Sequence, residues 1–151
     1  MVILLCGCGY RLAGTAELPS QLASIQLVTT NFSEAQKRML ARELTSAGAN
    51  LVEQAGGDVV TLTATLGLEP DRQLVSSASS GTTVNRLSRT LDYTLRTASG
   101  KAVGEAQTLR QQVDLELDDD NLLASNREKE SAILQLERAL YQQLIRQLTR
   151  I

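Results

Sequence analysis

The C-terminal part of the chain carries its clearest structural signal, an apolar residue repeated every three or four positions. The repeat comprises Ile133, Leu136, Leu140, Leu144, Leu148 and Ile151. Ser125 and Glu128 precede it with the spacing of a capping box, in which two side chains satisfy backbone donors left free at a helix start. The pattern predicts a long helix whose apolar stripe must be buried against a second layer of structure.

In the middle of the chain the apolar residues instead follow a period of two. They alternate with threonines, and the apolar set is Val60, Leu62, Ala64, Leu66 and Leu68. This alternation predicts a strand with one packed face and one polar face. Pro70 ends the regular pattern, and the serine-rich stretch 75–83 is interpreted as a loop or an extended hairpin tip.

The N-terminal third contains a second set of boundary signals. A β-branched run predicts a strand at about 25–29. Ser33 and Gln36 form another capping box, so a helix is expected from there to about Ala47, where Gly48 supplies a positive-φ stop. The expected buried stripe of this helix is Met39 or Leu40, Leu44 and Ala47.

Residues 84–117 have the pattern of a long β-hairpin. A two-residue turn is expected at Ser99 and Gly100, between two runs of alternating apolar residues. The outgoing run places Leu87, Leu91, Tyr93 and Leu95 on one face, and the returning run places Leu109, Val113, Leu115 and Leu117 on one side. Strands of this length exceed what a small core needs, which indicates that one end projects toward a partner.

These elements together predict an α+β fold of order β-α-β-β-β-α. Two helices are expected on one face of a four-stranded, mostly antiparallel sheet. The length of 151 residues fits one domain, which we place at 25–151. With one Phe, three Tyr and no Trp, its core must consist of Leu, Val, Ile and Ala.

The two cysteines, Cys6 and Cys8, lie directly after a short apolar run. A disulfide between them is disfavoured by its geometry, and the chain has no histidine to help complete a zinc shell. "LCGC" resembles the lipobox of bacterial lipoproteins, which are cut before the cysteine that carries the lipid. We then expect residues 1–7 to be a residual signal peptide, Cys8 to be acylated, and 8–24 to be a tether. A buried strand with two inert thiols remains the alternative.

Several chemistries lack their residues in this sequence. Without histidine there is no common general base, and no phosphate-binding glycine loop occurs. The acidic run 118–120 lacks calcium-loop spacing and is interpreted as a solvated loop before the last helix. The net charge of −2 argues against nucleic acid, and no later apolar run is long enough to span a bilayer. We predict no enzymatic activity, no metal, and no cofactor beyond the covalent lipid on Cys8.

Four basic residues are candidates for binding an anionic glycolipid. Arg72, Arg86, Arg127 and Lys129 lie near predicted loop ends or at the start of the last helix, and their side chains suit phosphate groups. The alternative interpretation is that they are ordinary surface charges.

Several segments together resemble the lipopolysaccharide-assembly lipoprotein family, the small subunit of the outer-membrane lipopolysaccharide translocon. They are "CGYRLAG", "LPSQLASIQL", "ARELTSAGANLVE" and "ALYQQLIRQL". The similarity covers residues 8–151. Family members carry basic residues before the third strand and ahead of the last helix, where this chain has "SSASSG" and Ser125. The neighbouring Arg72, Arg86, Arg127 and Lys129 could substitute for them.

The resemblance implies a lipoprotein anchored through Cys8 at the periplasmic face of the outer membrane. Its body would plug the large β-barrel subunit of the translocon, assist assembly of that barrel and contact lipopolysaccharide. A rival hypothesis is a free-standing periplasmic lipoprotein that binds a small ligand or a cell-envelope enzyme.

Overall fold

The computed structural model describes residues 17–77, 81–118 and 120–151, so Cys6, Cys8 and the predicted signal peptide lie outside the described residues. Among these residues, a 3₁₀ turn at Ser20–Leu22 precedes six strands and two helices. These are β1 (Ser24–Thr30), α1 (Glu34–Ser46), β2 (Asn50–Val52), β3 (Val60–Leu68), β4 (Arg72–Ser77), β5 (Thr82–Thr97), β6 (Gln107–Asp118) and α2 (Leu122–Leu148). The predicted α+β class is confirmed, but the predicted number of four strands was wrong, because the sheet of the described residues has six.

The sheet is mixed, with the path β2-β1-β3-β5-β4, and β6 pairs with β5 in addition. β1 runs parallel to both β2 and β3, whereas β5 is antiparallel to β3, β4 and β6. β3 and β4 follow one another along one edge of β5, since β3 pairs with 89–97 and β4 with 82–86. β6 pairs with 82–93 and therefore occupies the opposite edge.

Two strands were missed for identifiable reasons. β2 has only three residues, too few to show a period. β4 lies partly in the serine-rich stretch, and a register shift between Gln73 and Val75 interrupts its alternation. Of the two interpretations of 75–83, the hairpin tip agrees with the structure, because Ser77 pairs with Thr82.

α1 begins and ends as its sequence predicts. The Ser33 N–H donates to Gln36 Oε1 at 2.7 Å, and the Gln36 N–H donates to Ser33 Oγ at 3.3 Å. Both halves of the capping box are therefore present. Gly48 follows the helix with a φ of +95°, a backbone conformation that glycine adopts at little cost.

α2 begins earlier than predicted, so the assignment of Ser125 as its cap was wrong. Asn121 is the N-cap, and its Oδ1 accepts from the Ala124 N–H at 3.2 Å. Ser125 is buried in the first turn of the helix. Its hydroxyl donates to the Asp118 carbonyl at 2.9 Å and accepts from the Asp118 N–H at 3.1 Å. The hydroxyl thus joins α2 to the end of β6.

The larger of the two hydrophobic clusters in the described residues lies between the sheet and both helices, and a smaller one joins Leu87 of β5 to Ala132 and Leu136 of α2. Leu40 and Leu44 from α1 meet the inward residues of β3 and β5, and α2 contributes Leu140 and Leu144. The predicted stripe residues Leu136, Leu140, Leu144 and Leu148 are all buried. Two residues at the ends of predicted apolar faces are exposed instead. Leu68 is 65% exposed at the end of β3, and Ile151 is 43% exposed after α2.

The N-terminal boundary of the fold lies within the segment predicted as a tether. The Leu18 N–H donates to the Ala47 carbonyl at 2.9 Å, and Leu22 is fully buried in the core. Residues 18–22 therefore pack on the domain.

The turn between β5 and β6 is longer than the predicted two residues. Gly100 N–H donates to the Thr97 carbonyl at 2.8 Å, and Thr97 N–H donates to the Lys101 carbonyl at 2.9 Å. The loop is therefore Ala98 to Gly100, with a φ of +81° at Gly100. A second positive-φ glycine, Gly104, lies between this loop and the regular pairing of β6, which starts at Gln107.

Candidate functional site

The sheet face opposite the helices is polar, and none of the described elements packs over it. Because side chains alternate along a strand, the residues between the buried leucines point to this outer face. On β3 and β5 they include Thr61, Thr63, Thr65, Thr90, Asp92, Thr94 and Arg96. These threonine and charged side chains keep the outer face of β3 and β5 hydrated, and they form no apolar patch there.

A groove of about 520 Å³ lies on this face at the connection between β3 and β4. We call it the arginine groove, because Arg72, Arg86 and Arg110 contribute to its walls. Glu69, Pro70 and Asp71, which connect the two strands, form one side. Arg72 and Arg86 are direct cross-strand partners, so pairing of β4 with β5 brings these two predicted residues together.

Arg86 is held by a two-pronged contact with Asp114 on β6. Its Nε donates to Asp114 Oδ1 at 2.7 Å and its Nη2 donates to Oδ2 at 2.8 Å. The hydrogen bond from Arg86 lowers the pKa of the Asp114 carboxyl, desolvation opposes the shift, and the guanidinium charge adds to it. The same hydrogen bond raises the pKa of Arg86. The fork fixes the guanidinium plane beside the groove.

Two further ion pairs hold the connection between β3 and β4. Arg110 Nη2 donates to Glu69 Oε2 at 2.7 Å, and Lys129 on α2 forms an ion pair with Asp71. Within the described parts of the chain, no ion pair is formed by Arg72. The groove therefore combines two arginines that carry their own carboxylates with one arginine that does not.

The four predicted basic residues do not form one cluster. Arg72 and Arg86 share the groove, and Lys129 reaches its margin through Asp71. Arg127 is exposed on α2 and does not line the groove. Arg110 was not identified from the sequence as a groove residue. Its position on the polar side of the returning strand was the available signal, but this becomes informative only once the register of β6 with β5 is known.

A larger cleft of about 800 Å³ lies at the opposite end of the domain. Ser20 and Gln21 line it together with 57–60 and the turn after β5. Of the described residues that line it, Asp58 is the only one with an acidic or basic side chain.

No helix among the described residues has the length and apolar character needed to cross a bilayer. In residues 17–77, 81–118 and 120–151, no group of three or more acidic, cysteine or histidine side chains is arranged to hold a metal ion.

Several solved structures have this fold. Lipoprotein B from Nitrosomonas europaea aligns with a TM-score of 0.73 at 21% identity, covering 93% of this chain and 90% of the other. The rare lipoprotein B from Shewanella oneidensis aligns with a TM-score of 0.70 at 15% identity, covering 84% and 94%. A minor lipoprotein from Acinetobacter baumannii gives 0.66 at 16%, covering 85% and 92%. The chain thus has an α+β fold that is found in bacterial lipoproteins.

The family assignment comes from sequence. The model of the lipopolysaccharide-assembly family (LptE) matches residues 21–148, and the chain belongs to this family. The resemblance noted in the sequence is thereby confirmed. The family consists of non-enzymatic outer-membrane lipoproteins that act in lipopolysaccharide transport and outer-membrane assembly. A comparison with curated protein sequences gives no significant match.

Proposed function

We propose that this chain plugs and helps assemble the β-barrel subunit of the lipopolysaccharide translocon, and that it assists insertion of lipopolysaccharide at the cell surface. Its membership of the lipopolysaccharide-assembly family is the observation that carries this proposal. The chain supplies no metal or catalytic group in the proposal; it acts by occupying and shaping a larger partner.

The surface of the domain suits a wide barrel. The interior of such barrels is polar and holds water, so a plug needs a surface that stays hydrated on contact. The outer sheet face offers threonines on β3, and the arginine groove adds charged groups at the sheet end. An apolar face would instead favour a dry interface.

The proposed anchor is a lipid on Cys8 that holds the chain at the periplasmic face of the outer membrane. One acyl chain alone gives only marginal, reversible membrane binding, whereas several chains together with a protein partner give stable anchoring. Mass spectrometry of the mature protein tests this point. Cys8→Ala should abolish acylation, and the control Cys6→Ala should leave the acylated N-terminus unchanged. Acylation that persists in Cys8→Ala would contradict the proposal.

Co-isolation tests the plug directly. The chain carrying a C-terminal affinity tag is purified from detergent-solubilised outer membranes of cells that encode it, and the retained proteins are identified. We expect a β-barrel of much greater mass in a fixed ratio with the chain. A chain that is recovered alone after mild cross-linking supports the rival, a free-standing lipoprotein.

We further propose that the arginine groove contacts the phosphate groups of lipopolysaccharide. Arginine presents its donors in a planar fork that matches phosphate oxygens, and the groove places Arg72 and Arg86 side by side. Arg86 is oriented by Asp114, so little side-chain freedom is lost when a second anion binds. Lys129, which is paired with Asp71, adds a further basic group at the margin.

Charge reversal in the groove tests this contact. Because a charge-assisted contact becomes a repulsion, Arg72→Glu should weaken lipopolysaccharide binding in vitro by about tenfold or more. Arg138→Glu is the matched control, since Arg138 is an exposed arginine on α2 that does not line the groove. Arg127→Glu shows whether the predicted residue outside the groove also contributes. Equal binding by Arg72→Glu and Arg138→Glu would remove the groove from the site.

A further inference from the structure

β6 is a long edge strand. It pairs with β5 over 12 residues without a register shift, and among the described residues it has no neighbour on its other side. Edge strands in natural proteins are usually protected by proline, charged side chains (lysine above all), a bulge or short length. The sequence of β6, QTLRQQVDLELD, contains neither proline nor lysine, and its charged residues are of both signs, one arginine and three carboxylates. β2, in contrast, has three residues, and β4 contains a register shift.

The Ser125 contact shows which backbone groups face this free edge. Both the N–H and the C=O of Asp118 bond to the Ser125 hydroxyl, so they point away from β5. In an antiparallel ladder, alternate residues direct their backbone groups to the same side. The groups of Thr108, Arg110, Gln112, Asp114 and Glu116 therefore point outward as well, and Ser125 closes the row at Asp118.

We propose that this edge binds β6 of a second copy of the same chain, antiparallel and centred on Gln112. This register pairs each of the five outward-facing residues with an outward-facing residue of the other copy. Thr108 lies opposite Glu116 of the second copy, Arg110 lies opposite Asp114, and Gln112 lies opposite its own equivalent. The ladder forms about ten backbone hydrogen bonds, because each bonded pair exchanges two.

Charge complementarity favours this register. Arg110 and Asp114 of the second copy lie on the same sheet face, and the two-fold axis generates the contact twice. Each already has an oppositely charged neighbour in its own chain, since Arg110 bonds to Glu69 and Asp114 bonds to Arg86. Pairing therefore produces a row of alternating charges, and the five donors of arginine allow it to bind two carboxylates.

The helix-facing side of β6 also fits itself in this register. Leu109 lies opposite Leu115 of the second copy, and Val113 lies opposite Gln111. Val113 is 36% exposed in the single chain and Leu115 is half-buried, so α2 leaves both partly uncovered. Pairing covers part of this apolar surface. The inference is independent of the proposed function, because it concerns the chain without a larger partner.

A charge-swap experiment tests the register. Arg110→Asp and Asp114→Arg are prepared separately in the full chain and studied by sedimentation velocity. Each variant alone places like charges opposite one another twice, so it should remain monomeric where the unchanged protein is a dimer. Mixed in equal amounts they should form a heterodimer, because the two introduced side chains then face each other, and the native Asp114 of one variant faces the native Arg110 of the other. Folded variants that stay monomeric when mixed would overturn the register.

A second variant keeps the test valid if a charge change impairs folding. Gln112→Pro removes an N–H that faces the free edge, so no hydrogen bond within the chain is lost. It should abolish the dimer while leaving the circular dichroism spectrum unchanged. A dimer that persists in Gln112→Pro, or an unchanged chain that is monomeric up to about 1 mM, would overturn the proposal.

Hydrogen exchange of the unchanged protein gives an independent readout. On dilution, the amides of Arg110, Gln112 and Asp114 should lose protection, whereas those of Gln111 and Val113, which bond to β5, should keep it. Dimerisation without this alternation would place the interface elsewhere and contradict the inference.

Discussion

Asp114 shows how a single residue depends on pairing that the sequence does not display. Arg86 was identifiable as a candidate from its charge alone, but its partner lies on β6 and 28 positions later in the chain. Only the register of β5 with β6 places the two side chains opposite one another. Sequence patterns give the faces of strands, whereas a register depends on packing across the whole sheet.

At this scale we predict that Arg86→Gln raises the pKa of Asp114 toward its ordinary value, because the hydrogen bond from Arg86 is the main cause of the lowered pKa. A carboxyl whose folded pKa is lowered contributes stability above its unfolded pKa and loses it as the pH falls through the folded pKa. An NMR titration of the Asp114 carboxyl between about pH 2 and 6 measures the change. Arg96→Gln, on the same face of β5, is the control and should leave the Asp114 pKa unchanged.

The N-terminus of α2 shows how local sequence can indicate the right element with the wrong boundary. Ser125 and Glu128 have capping-box spacing, yet Asn121 supplies the cap and Ser125 is only 6% exposed. Asn121 follows the acidic residues 118–120 in the sequence. The two leucines after it, Leu122 and Leu123, are exposed and do not belong to the apolar stripe of α2, so the stripe did not indicate this earlier start. The sequence prediction missed β2 and β4 for related reasons. The short length of β2 and the register shift in β4 both hide the periodicity of a strand.

At the element scale we predict that Asn121→Ala lowers the free energy of unfolding by about 1 kcal/mol, because the Ala124 N–H loses its acceptor. Asn121→Asp is the control and should retain most of the stability. Urea denaturation followed by circular dichroism measures both. Full stability of Asn121→Ala would show that Asn121 does not cap the helix.

Ser125→Asp separates the two possible caps. Aspartate is a good N-cap, so the substitution would be nearly neutral if Ser125 began the helix. In the structure Ser125 is only 6% exposed and its hydroxyl donates to the Asp118 carbonyl, a hydrogen bond that an ionised carboxylate cannot donate. We therefore expect a loss of about 2 kcal/mol or more in the same denaturation assay.

For the whole molecule, periodicity was sufficient for the class of fold and for most of the core. The stripe of α2 and the inward face of β3 identified the residues that meet between the layers. The mixed sheet was not predictable in this way, because the parallel pairing of β1 with β3 joins segments separated by α1 and β2. The arginine groove shares this limitation, since it depends on where β3 ends and β4 begins.

We predict that Leu140→Ala causes a large loss of stability. Leu140 is fully buried between the layers, so its truncation leaves a cavity and should lower the free energy of unfolding by about 2–5 kcal/mol. Leu134→Ala on the same helix is the control, because Leu134 is 53% exposed and should change stability by about 0.5 kcal/mol or less. Similar losses for both variants would contradict the observed orientation of α2.

Depletion of the chain in cells tests most directly the proposal that it serves lipopolysaccharide export by helping a β-barrel partner to assemble. The measured quantity is the amount of folded barrel in the outer membrane, followed by its heat-dependent shift in electrophoresis. We predict that depletion lowers the folded barrel and surface lipopolysaccharide together, and that re-expression of the unchanged chain restores both. Unchanged amounts of folded barrel and surface lipopolysaccharide in fully depleted cells would contradict the account.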